Sequence, residues 1–377
     1  MAAGNSAKLD SYKYLRDAAW KEIGNATVDG AERKRHWKAW ESHIAAHNLP
    51  RYLEGISDED RTDALLTFAV AIRAGKYGLK HQVLVQSVRK ALRHVSQAFV
   101  LVRVPDPRRQ YSVGKEFDRP IALLLKKFSD VDPPPKPKLA IPISTINTIA
   151  DKYKFSVYHL AVADLIIIAF FYLLRVGEYT GATKKDRAKK RTVPLRTKDV
   201  TLWMDGVPIP HSSSLEQLLH ADSATIKLEN TKNGTKNATV HQYAFGGLIC
   251  PVAAMARRVH QAHTIDPSGN ANLGTTRNRK GKVTLVSSQD VNAAVKWGAL
   301  NDGLFNRGYS PKQVSSHSLR AGGAMALKLA GTSDSLIKIM GRWSSDTFIT
   351  YIHSQIGALS AGLSEAMAQQ IIFHNIG

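Results

Sequence analysis

Apolar residues recur every three or four positions in the first third of the chain, which is the period of a helix with one buried face. From residue 84 to residue 99 this stripe consists of Leu84, Val88, Leu92, Val95 and Phe99. The other faces of the same segment carry Arg89, Lys90, Arg93 and His94. In the run AERKRHWKAW, Trp37 and Trp40 are three positions apart among basic residues. The pattern predicts a helical domain in which two helices have a basic side.

Closely spaced prolines interrupt the helical pattern between residues 129 and 142, in the segment SDVDPPPKPKLAIP. Proline favours extended polyproline II geometry and is excluded from helix interiors and central strands. We therefore predict a helical domain over residues 1–128, a linker over residues 129–142 and a second domain over residues 143–377.

The second domain combines helices with a short strand region. Residues 157–174 are strongly apolar and predict a buried helix, whereas residues 224–241 predict two strands around Asn233-Gly234, a dipeptide suited to a type I′ turn. Helices return from Ser315, with Gly331 and Gly341 where C-cap glycines belong. The predicted fold class is mainly α with a small antiparallel β-sheet, in two domains.

The charge balance favours a polyanionic partner. Lys and Arg outnumber Asp and Glu by 52 to 31 in 377 residues, and the net charge is +21. Such a field attracts nucleic acid, so we interpret the basic helices as a DNA-facing surface that includes Arg89, Lys90 and Arg93. Ordinary solvated helix faces are the alternative. No membrane partner is expected, because the most apolar stretch, residues 165–174, is too short to span a bilayer.

No metal or nucleotide cofactor is expected. Cys250 is the only cysteine, which excludes a cysteine-rich zinc module, and His260 and His263 form no regular ligand motif with it. A GxxxxGK[ST] phosphate-binding pattern is absent from the sequence. The cysteine content and the lack of an apolar segment near Met1 predict an intracellular protein, nuclear in a eukaryote and cytoplasmic in a prokaryote or phage.

Four short motifs contain residues that could take part in catalysis. The first two lie in the first two thirds of the chain. Arg175, in RVGE at the end of the apolar helix, needs a partner for its charge. It is either paired with Glu178, three positions on, or part of a binding site. Lys232 and Lys236 flank the predicted hairpin turn, where basic residues are commonly only solvated.

The third motif is HSLRAGG. His317 and Arg320, three positions apart, share one helical face, and Leu319 is expected to point into the core. Gly322 and Gly323 each weaken a helix by about 1 kcal/mol, which indicates that another group approaches the backbone there. The alternative is that His317 is an ordinary surface histidine whose hydrogen bonds are satisfied.

The fourth motif is Gly341-Arg342-Trp343, followed by Tyr351 ten positions after the glycine. The tyrosine falls in a helix predicted to begin after Ser345 or Asp346, both of which are good N-caps. A tyrosine on an amphipathic helix ordinarily serves packing. None of the four motifs is decisive by itself.

In order and spacing, the four motifs resemble the signature of the tyrosine recombinase (phage integrase-like) family. That signature runs Arg, a hairpin Lys, His-x-x-Arg, a Gly followed by His or Trp, and a nucleophilic Tyr. The matching residues are Arg175, Lys232, His317, Arg320, Gly341, Trp343 and Tyr351. The resemblance covers residues 143–365, and GRWSSD and HSLRAGGA look most like the recombinases of eukaryotic crypton and DIRS-type mobile elements.

One position departs from the family signature. The family's His or Trp directly follows the glycine, whereas here Arg342 follows Gly341 and Trp343 comes one position later. Either Trp343 serves after a one-residue shift, or Arg342 adds a third cation to the pocket.

The resemblance implies an enzyme that cuts and rejoins double-stranded DNA through a 3′-phosphotyrosyl bond on Tyr351, without metal or nucleotide. It also implies a two-domain C-shaped clamp, made of a helical core-binding domain and the catalytic domain, that assembles as a tetramer on two DNA sites. The amphipathic segment 363–373 is expected to dock onto a neighbouring subunit of that tetramer.

The implied roles follow the chemistry of each side chain. Arg175 and Arg320 suit the phosphate, because a guanidinium stays charged and binds phosphate with two parallel hydrogen bonds. His317 is the candidate base for the tyrosine. Lys232, with Lys236 as the alternative, is the candidate acid for the leaving oxygen.

Several interpretations stay open at this stage. The basic run 184–191, which includes Lys184 and Lys185, is a nuclear localisation patch, a phosphate-contacting loop or a solvated loop. Type IB topoisomerases and telomere resolvases use the same chemistry and are alternatives within the enzymes. A catalytically inactive DNA-binding regulator is the alternative outside them.

Overall fold

The computed structural model of the chain describes residues 12–21, 30–78, 81–109, 117–134, 138–181, 192–230 and 236–349. The chain divides into two compact units, Met1–Pro135 and Lys136–Gly377, and the division falls within the proline-rich segment. Residues 129–131 of that segment are helical, contrary to the extended geometry predicted for them. The reason is that a proline restricts only itself and the residue before it, and the first proline is Pro133.

The first unit has helices packed around a core of aromatic and branched side chains. They include α1 (Gly30–Ala46), α2 (Asp58–Arg73), α3 (Val85–Leu101) and α4 (Arg119–Val131). The apolar stripe predicted on α3 is buried at Val88, Leu92, Val95 and Phe99. Its members pack with Trp40 of α1 and Phe68 of α2 in one cluster.

Two residues of the α3 pattern lie elsewhere than predicted. Leu84 is 51% exposed, because it is the N-cap and the helix begins one residue later. His94 is buried rather than on the basic side, since its Nδ1 lies 2.8 Å from Nδ1 of His36 on α1, so that one ring nitrogen donates to the other. Burial, together with the neighbouring His94, lowers the pKa of His36 to about 4.

The second unit is organised around one apolar helix. Its helices are α5 (Ile143–Tyr153), α6 (Val157–Phe171), α7 (Val176–Tyr179), α8 (Leu215–Leu219), α9 (Pro251–Ile265), α10 (Ser288–Asn301), α11 (Ser316–Leu329) and α12 (Asp334–Gly341). All residues of α6 from Ala161 to Phe170 are buried, because α5, α9, α10 and α11 pack around it. Within the described ranges, no helix has the length and apolarity needed to cross a membrane.

Antiparallel strands complete the second unit, which confirms the predicted fold class of mainly α with a small antiparallel sheet. A four-stranded sheet has the order β2-β1-β3-β4, and a separate hairpin pairs β5 with β6. The strands are β1 (Val200–Met204), β2 (Val207–Ile209), β3 (Ser223–Asn230), β4 (Lys236–Tyr243), β5 (Thr275–Arg277) and β6 (Val283–Leu285). Strands β1, β2, β5 and β6 were not predicted, since three of them have only three residues and none shows a long alternation.

The register of β3 and β4 does not fit the predicted two-residue turn. Asn230 pairs with Lys236, which leaves residues 231–235 between the paired strands. A two-residue turn on Asn233-Gly234 would instead pair Lys236 with Thr231. The strands themselves agree with the predicted pair, and residues 231–235 lie outside the described ranges.

Helix α11 packs backbone to backbone against the C-terminal end of α6, as its two glycines predict. A Cβ atom on Gly322 would overlap the carbonyl oxygen of Ile141, and one on Gly323 would overlap the carbonyl oxygen of Phe170. The predicted close approach is therefore confirmed. Gly331 is left-handed, at φ +80°, just after the C-cap of α11, as predicted.

We expect Gly323→Ala to destabilise the protein by about 1–3 kcal/mol, the range for overpacking a tight interface. If the Phe170 carbonyl were not in contact, replacing a helical glycine by alanine would stabilise the protein by about 0.5–1 kcal/mol. The sign of the change in unfolding free energy therefore tests the contact. Urea unfolding measures the effect. Gly246→Ala is the control, because nothing lies within 4 Å of a Cβ there. A stabilised Gly323→Ala variant would contradict the backbone contact.

Candidate active site

The carbonyl group of Leu173 is the point at which the separate motifs meet. Leu173 follows α6 and is left-handed, at φ +50°. Its oxygen accepts a hydrogen bond from Nη1 of Arg320 at 2.5 Å and another from Nη2 of Arg342 at 2.9 Å. Arg320 and Leu173 are 147 residues apart in the sequence. The turn between α6 and α7 therefore gathers the two C-terminal motifs beside Arg175.

A buried carboxylate holds two of the arginines. Glu178 is fully buried and caps α7 by accepting the backbone N–H of Arg175 on Oε2 at 2.9 Å. Its Oε1 accepts a bond from Nη1 of Arg175 at 3.2 Å, and its Oε2 accepts one from Nη2 of Arg342 at 3.0 Å. The pairing of Arg175 with Glu178, one of the two interpretations of the RVGE motif, is present. The carboxylate also ties that motif to Arg342.

Arg342 points into the protein and is 8% exposed. Besides Glu178 and Leu173, its guanidinium donates to the carbonyl oxygens of Met340 at 3.2 Å and Tyr172 at 3.4 Å. Burial lowers the pKa of Arg342, and the charge of Glu178 opposes that shift. Contacts of this kind are typical of a residue that positions its neighbours.

Trp343 covers the guanidinium of Arg320. The centre of the Trp343 ring lies 4.3 Å from Cζ of Arg320, a cation–π contact, and Arg320 is 3% exposed. Nη2 of Arg320 also donates to the carbonyl of Gly341. Two of the five N–H groups of the guanidinium thus go to backbone carbonyls, which fixes the direction of its fork.

The order of Gly341, Arg342 and Trp343 has a steric cause. A Cβ atom on Gly341 would overlap the indole of Trp343, so only glycine lets the ring fold back over the end of α12. The prediction that Gly341 is a left-handed C-cap is wrong. Gly341 is the last helical residue, and Arg342 takes the left-handed position at φ +54°.

His317 and Arg320 lie one turn apart near the start of α11, but their surroundings differ. His317 is exposed, and its backbone N–H donates to Oγ of Ser315 at 3.3 Å, whereas Arg320 is buried. Leu319 is fully buried, which confirms that it points into the core.

Several predicted site residues lie outside the described ranges, namely Lys184, Lys185, Lys232 and Tyr351. For Lys236 only the backbone is described, at the start of β4. The chain before Tyr351 forms a 3₁₀ turn, Asp346–Phe348, where the helix was predicted to begin, and Ile349 after it is helical. The rest of the predicted helix lies outside the described ranges. Phe348 belongs to a hydrophobic cluster that includes Ala321 of α11, and Trp343 and Ile349 pack against this cluster.

The described tyrosines closest in sequence to these motifs have buried or bonded hydroxyl groups. Tyr179 is fully buried, and burial followed by the charge of Glu178 raises its pKa. The hydroxyl of Tyr172 donates to the carbonyl of Ala224 at 3.1 Å. The hydroxyl of Tyr309 donates to the carbonyl of Ala140 at 2.9 Å. None of the three is suited to attack a bound phosphate.

The predicted basic side of the first unit is partly neutralised. Nζ of Lys90 lies 2.5 Å from a carboxylate oxygen of Glu32 on α1. Arg93 is exposed and Arg89 is half-buried. A role in binding DNA stays a prediction for all three.

The described residues contain no cluster of three His, Cys, Asp or Glu side chains able to hold a metal ion. Cys250 is buried at the N-cap of α9. His263 faces His211 with 6.1 Å between ring centres.

The electrostatics of the site favour a bound anion. The guanidinium groups of Arg175 and Arg342 bind the carboxylate of Glu178, and that of Arg320 shares the carbonyl of Leu173 with Arg342. These four charged groups carry a net charge of two positive. Preorganised cations of this kind stabilise negative charge that develops on a phosphate.

Sequence reasoning missed two features of the site. The first is the bond between Glu178 and Arg342, which are 164 residues apart and share no local pattern. The second is the left-handed Leu173, a residue type that gives no signal for that conformation. The only hint was the departure from the family signature at Arg342, which marked that position as unusual.

No family model and no curated protein matches the chain. Among solved structures, it is similar to the Tn1549 transposon integrase in complex with transposon right end DNA, with 14% identity and a TM-score of 0.43 over 88% of this chain and 99% of that one. It is also similar to the XerH site-specific recombinase bound to a palindromic difH substrate. The identity is 16% and the TM-score is 0.47, over 84% of this chain and 74% of that one. A third similar structure is a lambda integrase dimer bound to a COC′ core site. Its identity is 12% and its TM-score is 0.41, over 97% of this chain and 99% of that one.

We expect Arg342→Ala to destabilise the protein by about 3 kcal/mol, because it leaves a buried carboxylate with one partner fewer. Urea unfolding is the measurement. Adding Glu178→Gln should cost less than the sum of the two single changes, since both act on one interaction. Arg307→Ala is the matched control and should lose under about 1 kcal/mol, because the side chain of Arg307 is 54% exposed, in contrast to buried Arg342. Equal losses for Arg342→Ala and Arg307→Ala would contradict a positioning role.

Proposed function

We propose that this chain is a site-specific DNA recombinase of a mobile element, which cuts and rejoins double-stranded DNA through a covalent tyrosine intermediate. The observation that carries the proposal is the shared contact of Arg320 and Arg342 with the turn that leads into Arg175. It brings together arginines from separate sequence motifs, and this supports a site that stabilises negative charge on a phosphate.

In the proposed reaction, Oη of Tyr351 attacks the scissile phosphorus and its proton passes to the imidazole of His317. Arg175 and Arg320 stabilise the charge that grows on the nonbridging oxygens of the phosphate. A tyrosine has a pKa of about 10, so the attack needs both the base and the positive field of the arginines.

The second half of the step breaks the bond between the phosphorus and the 5′-oxygen of the next nucleotide. That oxygen takes a proton from the ammonium of Lys232 or, as the alternative, of Lys236. The products are a 3′-phosphotyrosyl bond and a free 5′-hydroxyl. Because the bond energy is conserved in the phosphotyrosine, a 5′-hydroxyl from another strand can reverse the step without a nucleotide.

Further parts of the proposal concern assembly and origin. We propose a homotetramer on two DNA sites, with the first unit adding phosphate contacts through Arg89, Lys90 and Arg93. The sequences of the HSLRAGGA and GRWSSD segments support an origin among crypton or DIRS-type elements and therefore a nuclear location. A type IB topoisomerase would use the same residues on one duplex.

The test of the nucleophile is Tyr351→Phe, which removes one oxygen and keeps the ring. A nicked duplex carrying the element's terminus is incubated with protein in excess EDTA, and covalent adduct is counted on a denaturing gel. The unchanged protein should form adduct in EDTA, since arginines supply the positive charge that metals supply in nucleases. Tyr351→Phe should form none, with DNA affinity nearly unchanged.

Tyr309→Phe is the matched control for the nucleophile test. It deletes the hydroxyl that donates to Ala140, at a cost of about 1 kcal/mol of stability, and should retain the adduct. Loss of adduct in Tyr309→Phe, or adduct in Tyr351→Phe, would show that the assignment of the C-terminal motifs is wrong.

Assembly separates the recombinase from the topoisomerase. We expect two duplexes with different labels to be held in one complex whose native mass corresponds to four chains. Truncation after Gly362 should leave binding of one duplex intact and weaken this assembly, because a cyclic tetramer loses every interface at once. Relaxation of supercoiled DNA by complexes with a single duplex, or normal tetramers after truncation, would count against the proposal.

A further inference from the structure

The hairpin of β5 and β6 carries a dense group of cations that the proposed reaction does not use. Its tip has the sequence Arg277-Asn278-Arg279-Lys280-Gly281-Lys282, and the four basic side chains are exposed. Among the described residues, none of the four is paired with a carboxylate. Four uncompensated cations in six positions attract a polyanion.

The tip is held in one conformation. The Oδ1 atom of Asn278 accepts the backbone N–H groups of Lys280 at 3.0 Å and Lys282 at 3.1 Å, and the N–H of Asn278 donates to the carbonyl of Lys282 at 2.9 Å. Gly281 supplies the left-handed residue of the turn, at φ +72°, and Nη1 of Arg277 donates to its carbonyl at 3.0 Å. The charges of Arg279, Lys280 and Lys282 are therefore displayed on a preorganised loop, which lowers the ordering cost of binding.

Between this tip and the first turn of α6 lies a cavity of about 330 Å³, lined by Tyr158, His159, Asn278, Arg279 and Lys280. The rings of Tyr153, Tyr158 and His159 pack together, with centres 5.0 and 6.0 Å apart. The acidic neighbour, Asp290, already accepts bonds from the backbone N–H and the hydroxyl of Ser287. Burial, followed by the interaction with Asp290, raises the pKa of the Tyr158 phenol to about 12. Cations beside aromatic rings are the side chains that nucleic acid backbones and sugars contact.

A second cleft is also lined by the hairpin and carries further basic residues. It has a volume of about 270 Å³, and its lining includes Arg257, His260 and Arg277. The carboxylate in this cleft, Asp164, is fully buried and bound by Nε of Arg257 at 2.9 Å. It therefore does not cancel the exposed charge of Arg277.

The hairpin surface is separate from the candidate site. Tyr158 and His159 lie in the first turn of α6, whereas Leu173 and Arg175 follow its last turn. A helix of this length spans roughly 20 Å, at about 1.5 Å per residue. The two cationic regions thus lie near opposite ends of the buried helix.

We propose that the β5–β6 hairpin and the first turn of α6 form a second nucleic-acid contact surface that binds the phosphodiester backbone of DNA outside the candidate site. Arg279, Lys280 and Lys282 contact phosphates, and the cavity beside Tyr158 and His159 accepts a sugar or an unpaired base. This goes beyond the proposed function, because it needs only a phosphate backbone and no cleavage.

The test variant is Arg279→Ala/Lys280→Ala/Lys282→Ala, which leaves Asn278 and Arg277 to hold the turn. The matched control, Lys198→Ala/Lys296→Ala/Lys312→Ala, removes the same charge from other exposed positions of the second unit. Binding of a fluorescent duplex and a fluorescent single strand, both of random sequence, is measured by anisotropy between about 50 and 200 mM salt. Thermal unfolding should be the same for both variants and the unchanged protein.

In the test variant, the slope of log affinity against log salt should fall by about 2–3, since each lost phosphate contact contributes about 0.9 for duplex and 0.7 for single strand. The control should change it by less than about 1. A loss confined to duplex identifies duplex phosphates, and a loss that includes single strands identifies an unpaired strand; both support the surface. Unchanged slopes for both ligands, or equal losses in the control, would overturn it.

The adduct assay on the nicked duplex separates this proposal from the proposed function. The test variant should still form the covalent adduct, because its substitutions are remote from Arg175 and Arg320. If the unchanged protein forms no adduct, the proposed function fails, while the comparison of salt slopes still decides whether the hairpin binds DNA.

Discussion

The site depends on the close contact between helix α11 and the end of helix α6. Gly322 and Gly323 have no side chains, so the α11 backbone lies directly against the carbonyl groups of Ile141 and Phe170. With any larger residue the helices would stand further apart. Arg320, less than one turn earlier on α11, could then no longer reach the carbonyl of Leu173. Two glycines that lower helix propensity therefore set the position of the main cation.

The second constraint is electrostatic. Burial of guanidinium groups is unfavourable unless their charge and hydrogen bonds are satisfied. Here the backbone supplies most of the partners, since Arg320 and Arg342 together bind the carbonyls of residues 172, 173, 340 and 341. The carboxylate of Glu178 adds a single negative charge. Because carbonyl dipoles compensate without cancelling the charge, the cluster keeps a positive potential that a purely ionic network would lose.

Periodicity and residue type account for the features that were predicted correctly from the sequence. The buried stripe of α3 and the apolar helix α6 were found because each continues a pattern over many positions, and the β3–β4 pair was found from the turn dipeptide Asn233-Gly234 between two strand segments. The glycines at 322 and 323 were interpreted correctly because their cost in a helix demands a reason. The burial of His94, the register at Lys236 and the partner of Arg342 were not predictable, since each depends on a residue distant in the sequence or on the length of a loop.

The carboxylate of Glu178 has an evolutionary consequence. It serves a residue three positions away and another 164 positions away, so the two ends of this domain cannot diverge independently. A lineage that lost the arginine at position 342 would retain a buried carboxylate whose negative charge is only partly compensated. A lineage that lost the glutamate at position 178 would retain a buried guanidinium whose positive charge is only partly compensated. Related sequences should therefore vary at positions 178 and 342 together, as a covarying pair. That linkage would be visible in an alignment even where the fold is the only trace of common descent.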